Sequence, residues 1–164
     1  MAKIIGIVAV DREGAIGKGG RLPWYCSSDL KFFKAQTVGN VCVMGRRTWA
    51  TLKRPLPGRL NVVLTSGAPP APQASVVALR SRDEVMSLRD YLACDLYVIG
   101  GARVYQSFLG DVDRWLVTEV PLTVEGADTF MPEGYLQGFE PYDSLTLDDG
   151  LKVTFYERRQ RQQQ

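Results

Sequence analysis

Leu96-Tyr97-Val98-Ile99-Gly100-Gly101-Ala102-Arg103-Val104-Tyr105 is the stretch that decides the fold. Leu96 to Ile99 reads as a short buried strand that runs into two glycines and then into a helical stretch, Ala102 to Leu109. Buried strands that give way to helices in this manner build parallel α/β sheets. Two more strand ends look alike. Val41 to Met44 stops at Gly45 and is followed by Arg46-Arg47-Thr48, and Leu60 to Leu64 leads into Thr65-Ser66.

The flanks extend the pattern. Lys3 to Val10 is an Ile- and Val-rich strand, and the loop after it, Asp11 to Leu22, holds Gly14, Gly17, Gly19 and Gly20. Ser27 to Val38 reads as an amphipathic helix that Ser27 or Ser28 can cap. Thr48 to Lys53 reads as a short helix stopped before Pro55, and Val76 to Leu79 as a strand. Ser81 to Leu92 is a predicted helix in which Ser81 and Glu84 form a capping-box pattern. Trp115 to Val120 is strand, and Phe139 to Leu147 and Leu151 to Arg158 are strands joined through Asp148-Asp149-Gly150, a hairpin signal. Strands alternate with helices early and stand alone at the end. This predicts an α/β fold: a mostly parallel central sheet with an antiparallel C-terminal strand, flanked by helices.

A chain of 164 residues suits one domain, expected over 1–158, with a polar Arg/Gln tail at 159–164 that reads as disordered. Twenty basic and eighteen acidic side chains give +2, too balanced to point to nucleic acid or an anionic membrane. No apolar run approaches the roughly 18 residues of a membrane span, and the N-terminus lacks a signal-peptide pattern. Cys26, Cys42 and Cys94 are odd in number and widely spaced, as reduced packing thiols of a cytoplasmic protein would be.

The strand ends carry the candidate chemistry. In open α/β sheets ligands gather beyond the carboxyl ends of the strands. Arg46, Arg47, Thr48 and Ser66 could hold more than one phosphate, and Gly100-Gly101 would let the backbone approach a pyrophosphate. Together they suggest a dinucleotide with an extra phosphate, NADPH rather than NADH. Neither G-x-G-x-x-G after a strand nor a P-loop is present, so such a cofactor would bind outside those two schemes. Arg54-Pro55-Leu56-Pro57-Gly58-Arg59 is a rigid turn with an arginine at each end. It reads as a surface turn or as a fork for a carboxylate, with Leu52 and Leu56 packing on an apolar part of the same ligand.

The chain contains no histidine. Ser-His or Cys-His nucleophiles and His-ligated metals are excluded, and no metal is expected. Proton chemistry falls to carboxylates, Tyr, Cys, Lys or water. Asp29 is the candidate acid. In the first turn of its helix it falls between Phe33, about 40° to one side, and Phe32, about 60° to the other. An acid that merely favours a helix N-terminus would also explain it.

These segments resemble the monomeric bacterial type of dihydrofolate reductase. The resemblance rests on Val10-Asp11 with Ala15-Ile16-Gly17, Leu22-Pro23-Trp24, Asp29-Leu30-Lys31-Phe32-Phe33-Lys34 and Val43-Met44-Gly45-Arg46-Arg47-Thr48-Trp49. It continues through Arg54 to Arg59, Val98-Ile99-Gly100-Gly101-Ala102 and Asp128-Thr129-Phe130, in the same order and spacing. It implies reduction of 7,8-dihydrofolate to 5,6,7,8-tetrahydrofolate with NADPH, in a cytoplasmic monomer open to antifolates such as trimethoprim or methotrexate. Asp29, supported by Thr118, corresponds to the pocket carboxylate that holds the pterin, and Leu22 and Trp24 lie in the catalytic group with them. Ile5 and Ile99 meet the pterin amino group through their backbones. Leu30, Phe33, Leu52 and Leu56 wrap the rings. Arg59 clamps the glutamate α-carboxylate, with Arg54 and Lys34 nearer the rim. On the cofactor side the resemblance places Ile7, Ala15, Ile16, Gly17, Gly20, Arg21, Leu22 and Ile99 at the nicotinamide. Gly45, Arg46, Arg47, Thr48, Leu64, Thr65 and Ser66 fall at the phosphates and adenosine, in an adenosine-binding subdomain at about 40–93. Gly100, Gly101, Ala102, Arg103, Val104 and Tyr105 fall at the pyrophosphate, with a cis peptide expected at Gly100-Gly101.

The chain departs from the family where Gly20 replaces the usual Asn and Leu22 the common Met. The extra glycine should populate the open state of the loop over the nicotinamide. Two other readings compete. A riboflavin-pathway reductase shares fold and NADPH but has no need for an acid at Asp29 or an arginine at Arg59. A non-catalytic folate- or nucleotide-binding module would not need both together with the full cofactor set.

Overall fold

The computed structural model describes residues 2–19 and 26–160. Gly20, Arg21, Leu22 and Trp24 of the candidate site lie outside the described residues, as do 161–164 of the tail. The elements follow in chain order as β1 (Ile4–Val10), β2 (Ala15–Gly17), α1 (Ser27–Thr37), β3 (Val41–Gly45), α2 (Arg46–Thr51), β4 (Leu60–Leu64) and β5 (Val76–Leu79). Then come α3 (Arg82–Arg89), β6 (Leu96–Gly100), α4 (Ala102–Phe108), β7 (Arg114–Glu119), β8 (Thr129–Phe130), β9 (Phe139–Thr146) and β10 (Lys152–Arg158).

Eight strands form one sheet in the order β5-β4-β3-β6-β1-β7-β10-β9, and β2 pairs with β8 in a small second sheet. Strands β5 through β7 in that order run parallel, and β10 pairs antiparallel with both β7 and β9. The predicted fold class is the observed one. All the parallel carboxyl ends therefore lie along one edge of the sheet, where Asp11, Gly45, Thr65 and Gly100-Gly101 sit.

Alternation of side chains splits the interior into two layers. On one face Val8, Val43, Val62, Val98, Trp115 and Val117 pack with Val85 of α3 and with Val104, Tyr105 and Phe108 of α4. On the other face Ile5, Ile7, Leu116 and Val153 pack under Phe32 of α1. Beside them Cys42, Met44 and Val63 pack with Trp49, Leu52 and Leu56. The first layer requires glycine at position 6, because a Cβ there would lie 2.3 Å from the Trp115 ring.

Several boundaries differ from expectation. Neither Ser27 nor Ser28 caps α1: Cys26 is the N-cap and no side chain caps it, because both serines are already helical. Helix α2 begins directly after Gly45 rather than at Thr48, and it stops three residues short of Arg54, whose position before Pro55 disfavours helix. Ser81 caps α3 as expected, accepting from the Glu84 N–H at 3.3 Å, while Glu84 reaches back to the Arg80 N–H at 2.7 Å. That helix ends at Arg89, and tighter turns from Tyr91 to Leu88 and from Leu92 to Arg89 follow it. At the start of the polar tail the Arg159 N–H donates to Gly138 O at 2.8 Å.

Candidate active site

Asp29 stands in the first turn of α1, where a carboxylate complements the helix dipole. Thr118, buried on β7, donates its hydroxyl to Asp29 Oδ1 at 2.7 Å. Burial pushes the Asp29 carboxyl above its ordinary 3.8, Asp149 in the β9–β10 turn pushes the same way, and the Thr118 hydrogen bond opposes them. The two rings that helix geometry places beside Asp29 have separate partners. Phe32 meets Phe155 edge-on at 6.1 Å, and Phe33 lies under the Arg59 guanidinium, 5.9 Å from its centroid.

An apolar wall joins Asp29 to Arg59. Phe33 and Ile99 pack against both apolar clusters of this face, the one with Ile5 and Ile7 and the one that Leu52 and Leu56 join. Arg59 closes the far end. Only 7% of it is exposed, with Nε donating to Pro57 O at 3.0 Å and Nη1 to Thr37 Oγ1 at 3.0 Å. The Pro57-Gly58 step ahead of it has Gly58 at φ +71°, the left-handed conformation a type II turn requires there. Leu30, Lys34 and Arg54 are exposed, and neither Lys34 nor Arg54 makes an ion pair among the described residues.

At the sheet edge three strand ends converge. A Cβ on Gly45 would meet Val104 at 3.0 Å and the Gly100 and Gly101 backbone at 3.8 and 3.9 Å, and one on Gly101 would meet Thr48 Oγ1 at 3.9 Å. The Gly100-Gly101 peptide is cis. Gly100 has φ +116° and lies against Tyr105, whose hydroxyl donates to Ile7 O at 2.8 Å. Burial drives the Tyr105 phenol far above its ordinary value, so it stays a donor. Arg46 turns toward the neighbouring loop, where Nη1 lies 3.0 Å from a Cβ built on Gly67, and buried Thr65 accepts from Gly67 N at 3.2 Å. Arg47, Ser66 and Arg103 are exposed, Leu64 and Ala102 are half-buried, and Ala15, Ile16 and Gly17 are buried on β2. The cysteines are free. Burial raises the thiols of Cys26 and Cys42, the latter to about 11, which leaves them protonated packing groups.

The sequence motifs contain Asp11 and Asp128 but assign no role to the residues that hold this frame. Asp11 is buried and accepts from the backbone of Glu13 and Ala15 at 2.8 Å and of Val124 at 2.9 Å. Burial pushes its carboxyl up, but these N–H groups outweigh it and hold the value low. Asp128 ties the segment before position 20: its N–H donates to Gly17 O at 3.1 Å, and its Oδ2 accepts from Gly19 N at 2.8 Å. Lys18 Nζ adds a bond to Glu125 O at 2.8 Å. Thr37 and Asn61 brace Arg59. The signal for Asn61 was one amide inside an otherwise apolar strand. A separate cavity of about 480 Å³ lies behind the sheet, between Val10, Val117, Tyr135 and Tyr156, and no candidate site residue lines it.

An acid and an arginine at opposite ends of one apolar wall, beside a glycine-lined edge with basic neighbours, suit a flat ring with a remote carboxylate and a phosphorylated cofactor. Comparison with known proteins agrees. The dihydrofolate reductase family model matches residues 3–158. The chain belongs to the dihydrofolate reductase family. Its reaction is reduction of 7,8-dihydrofolate to 5,6,7,8-tetrahydrofolate with NADPH. This reductase is 37% identical over 131 residues to dihydrofolate reductase type 9 of Escherichia coli, covering 76% of this chain and 74% of that one. It is 34% identical over 167 residues to dihydrofolate reductase HdrB of Haloferax volcanii, with 96% and 84% covered. Among solved structures, dihydrofolate reductase from Enterococcus faecalis complexed with NADP(H) and RAB-propyl superimposes with a TM-score of 0.86 at 34% identity, covering 96% of this chain and 97% of that one. No helix among the described residues is long and apolar enough to cross a membrane.

Proposed function

We propose that the reductase works through one site running from Asp29 to Arg59, with the pterin at the Asp29 end and the glutamate α-carboxylate at Arg59. The observation that carries this reading is the apolar continuity of Ile5, Phe33, Ile99, Leu52 and Leu56 between two groups of opposite charge. Asp29 accepts the pterin amino group and a ring N–H, and as an anion it favours the protonated ring. Thr118 keeps that carboxylate oriented, since its hydroxyl is already committed to Oδ1. The proton reaches N5 through water, and Asp29 stabilises the protonated substrate without handing the proton over itself. The backbones of Ile5 and Ile99 complete the amino-group contacts, Leu30 covers the ring, and Lys34 and Arg54 rim the carboxylate end.

NADPH supplies the hydride when bound, and the residues along the sheet edge suit it. Gly45, Gly100 and Gly101 form a cradle in which a Cβ on Gly45 or Gly100 would crowd Val104 or Tyr105, and Thr48 stands beside Gly101. Arg46, Arg47, Thr65 and Ser66 supply the donors a cofactor with an extra phosphate calls for, between Leu64 and the Ala102-Arg103-Val104 turn. Ile7, Ala15, Ile16, Gly17 and Tyr105 frame the nicotinamide end. The protein contributes position and exclusion of water. The reductase acts as a cytoplasmic monomer, and trimethoprim and methotrexate compete at the Asp29 end. Arg59→Leu tests the orientation. KM for dihydrofolate should rise by about 10- to 100-fold with kcat nearly unchanged, because the lost contact is remote from the reacting atoms. An unaltered KM would remove Arg59 from the site.

A further inference from the structure

Asn61 is the one polar side chain of β4, and it is 0% exposed. Its amide spends both ends on the turn that carries Arg59. Oδ1 accepts from Leu56 N at 2.9 Å, and Nδ2 donates to Leu56 O at 3.1 Å, to Arg59 O at 3.1 Å and to Ser75 O at 3.3 Å. Bonding both the N–H and the C=O of Leu56, the side chain acts as a short strand partner for the start of a turn whose backbone is otherwise held by the Gly39 N–H, which donates to Gly58 O at 2.8 Å. The chain bracketed by these bonds holds Leu56 at its start and Arg59 at its end. The Arg59 side chain is then fixed by Pro57 O and by Thr37 Oγ1, and Thr37 in turn donates to Phe33 O at 2.8 Å. Nη2 of Arg59 makes no hydrogen bond among the described residues, which leaves the outer edge of the guanidinium for a carboxylate.

We infer that Asn61, which touches no ligand, is the positioning residue that sets selectivity for folates bearing a glutamate tail, by holding Leu56 and Arg59 in register with the pterin end of the site. The inference rests on the reading of Arg59 as the carboxylate clamp. A bidentate pair tolerates little angular error, so a turn freed to rock loses the clamp before it loses the fold. The strand itself does not depend on the amide. The Asn61 backbone N–H donates to Ser75 O at 2.8 Å, and β4 keeps its register with both β3 and β5 through this position.

The experiment compares wild type, Asn61→Ala, Asn61→Ser and Arg59→Leu on two substrates, 7,8-dihydrofolate and 6-methyl-7,8-dihydropterin, which has no glutamate. NADPH affinity is measured for each by fluorescence. In Asn61→Ala, KM for dihydrofolate should rise about tenfold, while kcat, NADPH affinity and KM for the tail-less pterin change less than about twofold. Asn61→Ser should show the same selectivity with a smaller rise. Equal rises on both substrates, loss of NADPH binding alongside, or insolubility of both Asn61 variants would assign the residue to folding alone and overturn the inference. If Arg59→Leu leaves KM for dihydrofolate unchanged, the clamp reading itself fails. A selective effect of Arg59→Leu without one at Asn61 overturns only the role of Asn61.

Discussion

Asp29 is a residue whose setting and task pull in opposite directions. Burial and Asp149 raise its carboxyl above the ordinary 3.8, whereas the role proposed for it, partner of a protonated ring, favours the anion. In Asp29→Asn, turnover at neutral pH should fall on the order of 10²-fold, and part of it should return at acidic pH, where the substrate is protonated without help. Near-wild-type rates at neutral pH would refute the role. Stability should move the other way. A carboxyl with a raised folded-state value disfavours folding once it ionises. Wild type thus has this contribution intact below the unfolded value near 3.8 and loses it as pH rises toward the folded value. Urea melts should therefore show the Asp29→Asn variant gaining on wild type between acid and neutral pH, less the cost of the weakened Thr118 bond. Asp29 and Arg59 stand out as candidates in the sequence because each sits in a motif of fixed spacing. Asn61 and Thr37 do not. A polar residue in an apolar strand signals only that it must find partners, and those come from the fold of the Leu56 turn five residues earlier and from Ser75 on the loop before β5.

Elements with a long apolar period read off the chain to within a residue or two; β4 and β5 match their predicted bounds. Strands β2 and β8 escaped notice because three and two residues are too few to show a period. Their pairing matters, since it anchors the segment leading to Gly20 through Gly17 and Asp128. Helix α2 was expected two residues late because nothing in Arg46-Arg47 announces a helix that starts straight from a strand. At this scale the packing of β1 on β7 makes a sharp prediction. Gly6→Ala would drive a methyl to 2.3 Å from the ring of Trp115, which is fully buried and flanked by Tyr105 at 5.7 Å and Tyr135 at 5.1 Å. Denaturant unfolding should show a loss of roughly 3 kcal/mol. An unchanged midpoint would mean that the ring has room to move.

In the whole molecule, strand alternation announced a parallel sheet with an antiparallel end, but not the order of its strands. That order places β6 between β3 and β1, so Gly45 and Gly100-Gly101, far apart in sequence, share one cradle. It also sets β7 beside β1, which brings Thr118 over to Asp29. Such pairings depend on burial across the entire chain, and no local period encodes them. The most direct measurement is the loss of NADPH absorbance when the purified reductase meets 7,8-dihydrofolate. NADPH should be consumed one for one with tetrahydrofolate formed, only when dihydrofolate is present, and far more slowly in Asp29→Asn. Binding of both ligands with no dihydrofolate-dependent oxidation of NADPH would contradict the account.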